Sequence, residues 1–182
     1  MTRILQFVRH PPTVPPVGVC YGRSDVALAD DVNAHAERLR PSLHPGTRIL
    51  SSPLSRCRQL AEAIGPHACD DRLMEIDFGD WELLRFDAIG RDALDTWAAD
   101  PLHFRPPGGE SVSDMSKRVI AALQDALHVG SGPLLIVTHG GPLRASLGHL
   151  LTLSAGAWTQ LPVPYATLIR LQRDGSSWRR LD

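Results

Sequence analysis

The chain has 182 residues, of which 43% are hydrophobic and 21% are charged, and its formal net charge is -1. This composition is typical of one globular domain. The near-neutral charge argues against a nucleic-acid-binding protein, and no apolar stretch reaches the roughly 20 residues that a membrane span requires. Cys20, Cys57 and Cys69 match no zinc or redox spacing, so a reduced, cytoplasmic setting is expected.

The first half of the chain alternates between predicted strands and helices. Residues 3–8 (RILQFV) and 47–52 (TRILSS) are predicted strands. A helical pattern of apolar residues follows each of them, and Ser52 is the expected cap of the second helix. Residues 76–110 are less regular, and we interpret them as an insertion within a single domain that spans residues 1–182.

The second half of the chain continues the same alternation. Ser111 with Asp114 resembles a capping box at the start of a helix. Residues 133–137 (PLLIV) are uniformly apolar, as in a central parallel strand, and another helix is expected near Gly141. Residues 166–181 predict a terminal hairpin. Together these elements predict an α/β fold, a three-layer α/β/α sandwich with a mostly parallel sheet and an antiparallel edge hairpin.

Polar residues follow three of the predicted strands. The first strand ends in Arg9-His10, the second is followed by Arg56 in the first turn of a helix, and the third ends in Thr138-His139. In an open α/β sheet, ligands bind outside the carboxyl ends of the strands. Two arginines and two histidines should therefore meet at one edge, close to helix N-termini that favour anions. This pattern predicts a site for phosphate.

The sequence excludes three other kinds of phosphate chemistry. It has no Gly-rich Walker loop, so a nucleotide-hydrolysing P-loop is absent. No cysteine is followed six residues later by arginine, as a cysteine-nucleophile phosphatase loop requires, and no Asp-x-Asp pair follows an apolar strand. Histidine remains as the nucleophile.

Five segments in order along the chain resemble the motifs of the histidine phosphatase superfamily, which is also called phosphoglycerate mutase-like. They are VRHPPT, SSPLSRCRQLAEAI, LMEIDFGDWE, PGGES and IVTHGGPLRA. Within that superfamily, GVCYGRSDVAL at residues 18–28 is similar to a segment of α-ribazole phosphatases. The resemblance covers nearly the whole chain and implies the same α/β/α sandwich.

The resemblance also implies a two-step phosphoryl transfer that needs no metal and no other cofactor. By position, His10 is the nucleophile that becomes phosphohistidine. Arg9, Arg56 and His139 form the implied phosphate pocket, and Glu75 is the implied proton donor to the leaving oxygen. These roles suit the chemistry, because a phosphoryl group in transfer spreads charge over three oxygens that cations stabilise.

The chain departs from the superfamily pattern at three places. Pro11 and Leu83 stand where the motifs have glycine, and residues 14–18 (VPPVG) lack the usual asparagine. Proline at position 11 is expected to stiffen the nucleophile, although it removes an amide that could face phosphate. Thr13 or Tyr21 could supply the phosphate contact that the missing asparagine leaves open.

The expected substrate is a small phosphorylated metabolite, with no nucleic acid and no membrane as partner. Tyr21, Gly22 and Glu110 are expected at the substrate pocket, although helix-dipole complementarity explains Glu110 equally well. Aromatic residues in 76–104 could stack on an apolar leaving group. The resemblance of residues 18–28 to α-ribazole phosphatases implies α-ribazole 5′-phosphate as the first candidate.

Three other functions stay open at this point. The first is phosphoryl transfer of the phosphoglycerate mutase type, and the second is a module that binds a phosphorylated ligand with little turnover. The third is a zinc hydrolase that uses His10, Glu75 and His139 as ligands. It is disfavoured because Arg9 and Arg56 would repel the metal.

Overall fold

The computed structural model describes residues 3–15 and 17–181, and they form a mixed sheet of six strands flanked by helices. The first two residues and the last residue of the predicted domain lie outside this range, as does Pro16. The strands are β1 (Ile4–Arg9), β2 (Arg48–Ser51), β3 (His67–Cys69), β4 (Leu134–Thr138), β5 (Leu168–Asp174) and β6 (Ser177–Arg180).

The sheet order is β3-β2-β4-β1-β5-β6. The first four strands in this order are parallel, whereas β5 pairs antiparallel with β1 and β6 pairs antiparallel with β5. The predicted mostly parallel sheet with an antiparallel edge hairpin is therefore confirmed. All five residues of β4 are buried, which explains their uniformly apolar character.

Seven α-helices of the described residues connect the strands. They are α1 (Val32–Leu39), α2 (Ser55–Ile64), α3 (Phe86–Ile89), α4 (Arg91–Ala99), α5 (Val112–His128), α6 (Gly140–Leu150) and α7 (Ala155–Trp158). Short 3-10 turns occur at Arg40–Ser42, Asp71–Leu73 and Gly79–Trp81. Within the part of the chain that the structure describes, no helix is long and apolar enough to cross a membrane.

Alternate residues of the central strands face opposite layers. Leu135 and Val137 of β4 pack with α1 and α2 in one apolar cluster. Leu134 and Ile136 pack with α5 and α6 in another. Successive side chains of a strand point to opposite faces of the sheet, and helices cover both faces. The central strands are therefore apolar on both sides, as a three-layer sandwich requires.

One local expectation is wrong, and one strand has no counterpart among the predicted elements. Helix α2 begins at Ser55, and its N-cap residue Leu54 makes no side-chain capping bond. The hydroxyl of Ser52, the predicted cap, lies instead 2.8 Å from the His139 ring. No pattern in the sequence indicated β3, a short, half-exposed edge strand. By contrast, Ser111 does cap α5, since its hydroxyl accepts the amide N–H of Asp114 at 3.1 Å.

Residues 76–110, the insertion segment, have an aromatic core of their own. The Trp81 ring stacks on Phe104 with centroids 5.4 Å apart and meets Trp97 edge-on at 6.5 Å. Trp81 is buried although the helices around it are short. These contacts hold α4 against the Gly79–Trp81 turn and the loop at Phe104.

Candidate active site

The two histidines come together because they follow adjacent parallel strands. Arg9 of β1 lies opposite Thr138 of β4, and the His10 amide donates to the Thr138 carbonyl at 3.0 Å. The rings of His10 and His139, one residue beyond each strand, have centroids 5.2 Å apart and lie nearly edge to face. Both side chains are buried, at the sheet edge where the sequence predicts the site.

The His10 ring has a defined proton position. Its Nδ1 lies 2.7 Å from the Pro11 carbonyl oxygen, which can only accept, so Nδ1 carries the proton and Nε2 keeps its lone pair. Burial lowers the pKa of His10 to about 3, with Arg56 and Arg9 acting in the same direction and the Pro11 contact opposing them. The ring is therefore neutral at pH 7, as a nucleophile must be.

Arg56 is fully buried at the base of the site. Its Nε donates to His139 Nδ1 at 3.1 Å, while Nη1 and Nη2 donate to the carbonyls of Ser24 and Gly22 at 2.8 and 2.6 Å. Because a guanidinium only donates, the His139 proton lies on Nε2, next to Ser52 Oγ. Arg58, by contrast, faces solvent and pairs with Glu62.

His139 is neutral for the same reason as His10. Burial holds its pKa well below the usual range, and the charges of Arg56 and Arg9 add to that effect. The Cys57 sulfur lies 3.4 Å from His139 Nε2, and burial raises the pKa of that thiol. Cys57 is therefore a protonated packing neighbour of the site and not a second nucleophile.

Glu82 holds the loop of residues 22–24, whose carbonyl groups accept from Arg56. The Glu82 carboxylate accepts the amide N–H groups of Gly22, Arg23, Ser24 and Phe78 at 2.9–3.0 Å. Burial acts against the ionised form, but these hydrogen bonds outweigh it and lower the pKa of Glu82. The loop packs so closely that a Cβ on Gly22 would overlap the Ile76 carbonyl oxygen. Gly22 thus serves the site through Arg56.

Glu75 lies at the entrance of the site and is held by backbone amides. Its Oε2 accepts the Gly141 N–H at 3.2 Å, and its Oε1 accepts the Ile76 N–H at 3.1 Å. Gly141 belongs to the first turn of α6, where amide groups point outward and favour a carboxylate. A Cβ on Gly141 would overlap Glu75 Oε1, so only glycine permits this contact.

Arg9 is covered by a residue that the sequence did not indicate. Its guanidinium carbon lies 3.7 Å from the centroid of the Tyr165 ring, which is also 5.5 Å from His10. Tyr165 interacts with Tyr21, whose hydroxyl lies 2.6 Å from Thr13 Oγ1. Tyr165 precedes β5, and an antiparallel neighbour of β1 has to begin at the edge where β1 ends. That rule could have placed Tyr165 in the site.

A cavity of about 440 Å³ opens beside Glu75. It combines four aromatic walls with two charged side chains: Tyr21, Phe78, Trp97, Trp158, Glu75 and Arg144. Tyr21, a predicted substrate-pocket residue, is one of the residues that line it. Gly22 and Glu110, of the described residues, do not line this cavity. Glu110 instead accepts from Arg118 Nε and the Asp77 amide, both at 3.0 Å, and so connects the insertion segment to α5.

The described part of the chain provides no set of ligands for the zinc ion of the alternative hydrolase hypothesis. Among the described residues, no group of three or more His, Cys, Asp or Glu side chains is arranged to hold a metal ion. His10 Nδ1 is bonded to a carbonyl and His139 Nδ1 accepts from Arg56. A divalent cation would meet the repulsion of both arginines at this place.

Comparison with known proteins agrees with this geometry. The family model of the histidine phosphatase superfamily, branch 1, matches residues 5–181. A Salmonella paratyphi B protein described as "Probable phosphoglycerate mutase GpmB" is 35% identical over 144 residues, which are 72% of this chain and 66% of that relative. The match thus spans slightly less than two thirds of the relative's length.

Two solved structures share the fold over nearly their whole length. A mycobacterial glucosyl-3-phosphoglycerate phosphatase is 28% identical with a TM-score of 0.82, over 100% of this chain and 98% of that one. The α-ribazole phosphatase from Shigella flexneri is 26% identical with a TM-score of 0.84, over 97% of this chain and 94% of that one. The chain belongs to the histidine phosphatase superfamily.

Proposed function

We propose that the chain is a metal-independent phosphomonoesterase that transfers the phosphoryl group of a small metabolite to His10 and then to water. One observation supports this most directly. The neutral His10 ring is fixed through Nδ1, so that its Nε2 lone pair is available next to Arg9, Arg56 and His139. A nucleophile among cations is what phosphoryl transfer requires.

In the first step, the His10 Nε2 lone pair forms a bond to phosphorus as the bond to the leaving oxygen breaks. Glu75 gives its proton to that oxygen, so the alcohol leaves neutral and Glu75 becomes a carboxylate. The Gly141 amide then stabilises the new charge through the contact that it already makes. Arg9 and Arg56 balance the charge on the three phosphoryl oxygens.

In the second step, water attacks the phosphorus of phosphohistidine. Glu75 takes the proton from this water, the N–P bond breaks, and His10 regains its lone pair as phosphate leaves. The Thr13 and Tyr21 hydroxyls, which lie 2.6 Å apart, supply the donor that the missing asparagine would have given. Proline at position 11 preserves the hydrogen bond that orients His10, because Nδ1 donates to the backbone carbonyl of residue 11, which every residue type has.

The aromatic walls of the cavity favour an extended leaving group. They support α-ribazole 5′-phosphate as a candidate substrate, together with the residue 18–28 segment and the Shigella flexneri neighbour. The second candidate function is phosphoglycerate mutase-type transfer, which the description of the Salmonella relative favours. The efficiencies on α-ribazole phosphate, nucleoside monophosphates and 3-phosphoglycerate separate these functions. Isomerisation of 3-phosphoglycerate faster than any hydrolysis would reject the phosphatase.

The phosphohistidine can be trapped directly. After brief exposure to a labelled aryl phosphate, the protein should carry label that survives base and is lost in acid, and His10→Ala should carry none. A chelator should leave aryl phosphate turnover unchanged. An acid-stable adduct, or full activity of His10→Ala, would refute the role of His10. Binding without any turnover would favour the binding module.

A further inference from the structure

Arg144 presents a cation to the cavity beside Glu75. It belongs to α6, one helical turn after Gly140, and its Nε donates to the Leu161 carbonyl at 2.8 Å. That bond fixes the plane of the guanidinium and leaves the two terminal nitrogens for other partners. A Cβ on Gly140 would lie 3.3 Å from Arg144 Nη1, so the absence of a side chain at Gly140 leaves space for the Arg144 guanidinium.

No ion pair of the described residues includes Arg144. Its charged neighbours are Arg9, which repels it, and Glu75, whose oxygens already accept from the Ile76 and Gly141 amides. Burial and Arg9 lower the pKa of Arg144, with Glu75 opposing them. A partly buried cation without a bonded carboxylate bears a desolvation cost that an anionic ligand would offset.

Resting on the proposed phosphatase function, we propose that Arg144 is a specificity residue that binds a carboxylate on the leaving group of the substrate. The position supports this assignment, because Arg144 lines the cavity together with Glu75, the proposed proton donor to the leaving alcohol, whereas Arg9 and Arg56 do not line it. Its two terminal nitrogens form a planar fork that matches the two oxygens of a carboxylate.

The same cavity also defines the remainder of the leaving group. Trp97, Trp158 and Phe78 line it beyond Arg144, so they can cover an apolar or ring-shaped portion. The volume of about 440 Å³ is ample for a carboxylate and such a portion together. Arg144 thus favours carboxylate-bearing esters over α-ribazole 5′-phosphate, whose leaving group carries no anion.

A matched pair of substrates tests the assignment. In 3-phosphoglycerate a carboxylate replaces the terminal CH2OH group of glycerol 3-phosphate, and both esters release a primary alcohol. The wild type should hydrolyse 3-phosphoglycerate with the higher kcat/KM, and Arg144→Met should lower the ratio of the two efficiencies about 10- to 100-fold. Efficiency on glycerol 3-phosphate should change less than about threefold. Arg58→Met, which removes an exposed arginine, is the control and should leave the ratio unchanged.

Two results would overturn the assignment. An equal loss on both esters would mean that Arg144 only positions Glu75, and an unchanged ratio would mean that it does not contact the substrate. If the wild type hydrolyses neither ester nor an aryl phosphate, the proposed function fails instead. Calorimetric titration of His10→Ala with each ester, with and without Arg144→Met, then decides the specificity role, because the affinity ratio must fall by the same factor.

Discussion

Replacing Gly141 with alanine should separate proton donation from phosphate binding. The new Cβ would lie 2.4 Å from Glu75 Oε1 and 3.3 Å from the Met115 methyl, so the carboxyl group has to move. Restoring van der Waals contact needs a displacement of about 1 Å. A shift of that size at a catalytic group costs about 100-fold in rate. The Gly141 N–H bond to Glu75 lengthens at the same time.

The assay compares a substrate that needs a proton on its leaving oxygen with one that does not. For Gly141→Ala, kcat/KM on glycerol 3-phosphate should fall about 100-fold, whereas an aryl phosphate should lose less than about fivefold. Glu75→Gln should show the same asymmetry. Gly156→Ala is the matched control, since no atom lies within 4 Å of the position that its new Cβ would take. Equal losses on both substrates would show that Glu75 does not protonate the leaving group.

Three further predictions concern other parts of the site. The kcat/KM of Arg56→Ala should fall at least about 100-fold, whereas that of Arg58→Ala should stay within about twofold of the wild type, because Arg56 is buried in the site and Arg58 faces solvent. Equal losses in the two variants would contradict the assignment of Arg56 to the phosphate site. Leu83 has φ 64° and is 56% exposed, so Leu83→Gly should raise the free energy of unfolding by about 0.5–1 kcal/mol, while Leu84→Gly should lower it. Burial lowers the pKa of His10 to about 3 from 6.5, so unfolding takes up a proton and stability falls as the pH drops below about 6.5. Between about pH 6.5 and about pH 4.5, the free energy of unfolding from urea titrations should fall by about 2 kcal/mol less in His10→Asn than in the wild type. If the free energies of unfolding of the two proteins depend on pH in the same way, His10 is protonated in the folded chain.

The central strands and the groups at their ends could be predicted because their signals are local. Arg9-His10 and Thr138-His139 each follow an uninterrupted apolar run, and parallel strands bring their carboxyl ends together whatever their order. Arg56 was placed correctly by the helix that it opens. These residues could be assigned to one edge without knowledge of any contact.

The groups missed by the sequence depend on contacts between distant segments. Ser52 looked like a helix cap, because nothing local shows that His139 lies 2.8 Å from its hydroxyl. Tyr165 and Arg144 have ordinary surroundings in the sequence, and they enter the site only through the pairing of β5 with β1 and through the turn of α6. Glu110, which the sequence places at the substrate pocket, accepts from Arg118, and this contact with a residue of α5 has no local signal either.

The order of the strands determines the stage of folding at which the His10 ring becomes buried and neutral. Strand β1 lies between β4 and β5, and both of these strands follow it by more than 120 residues along the chain. Until those strands leave the ribosome, the segment that ends in His10 has no partner to pair with, and neither His139 nor Tyr165 exists to surround the ring. Non-local pairing of this kind is slow and leaves apolar strands exposed meanwhile. The nascent chain would thus carry an unburied imidazole that titrates normally, and the reactive neutral ring would arise only as the sheet closes.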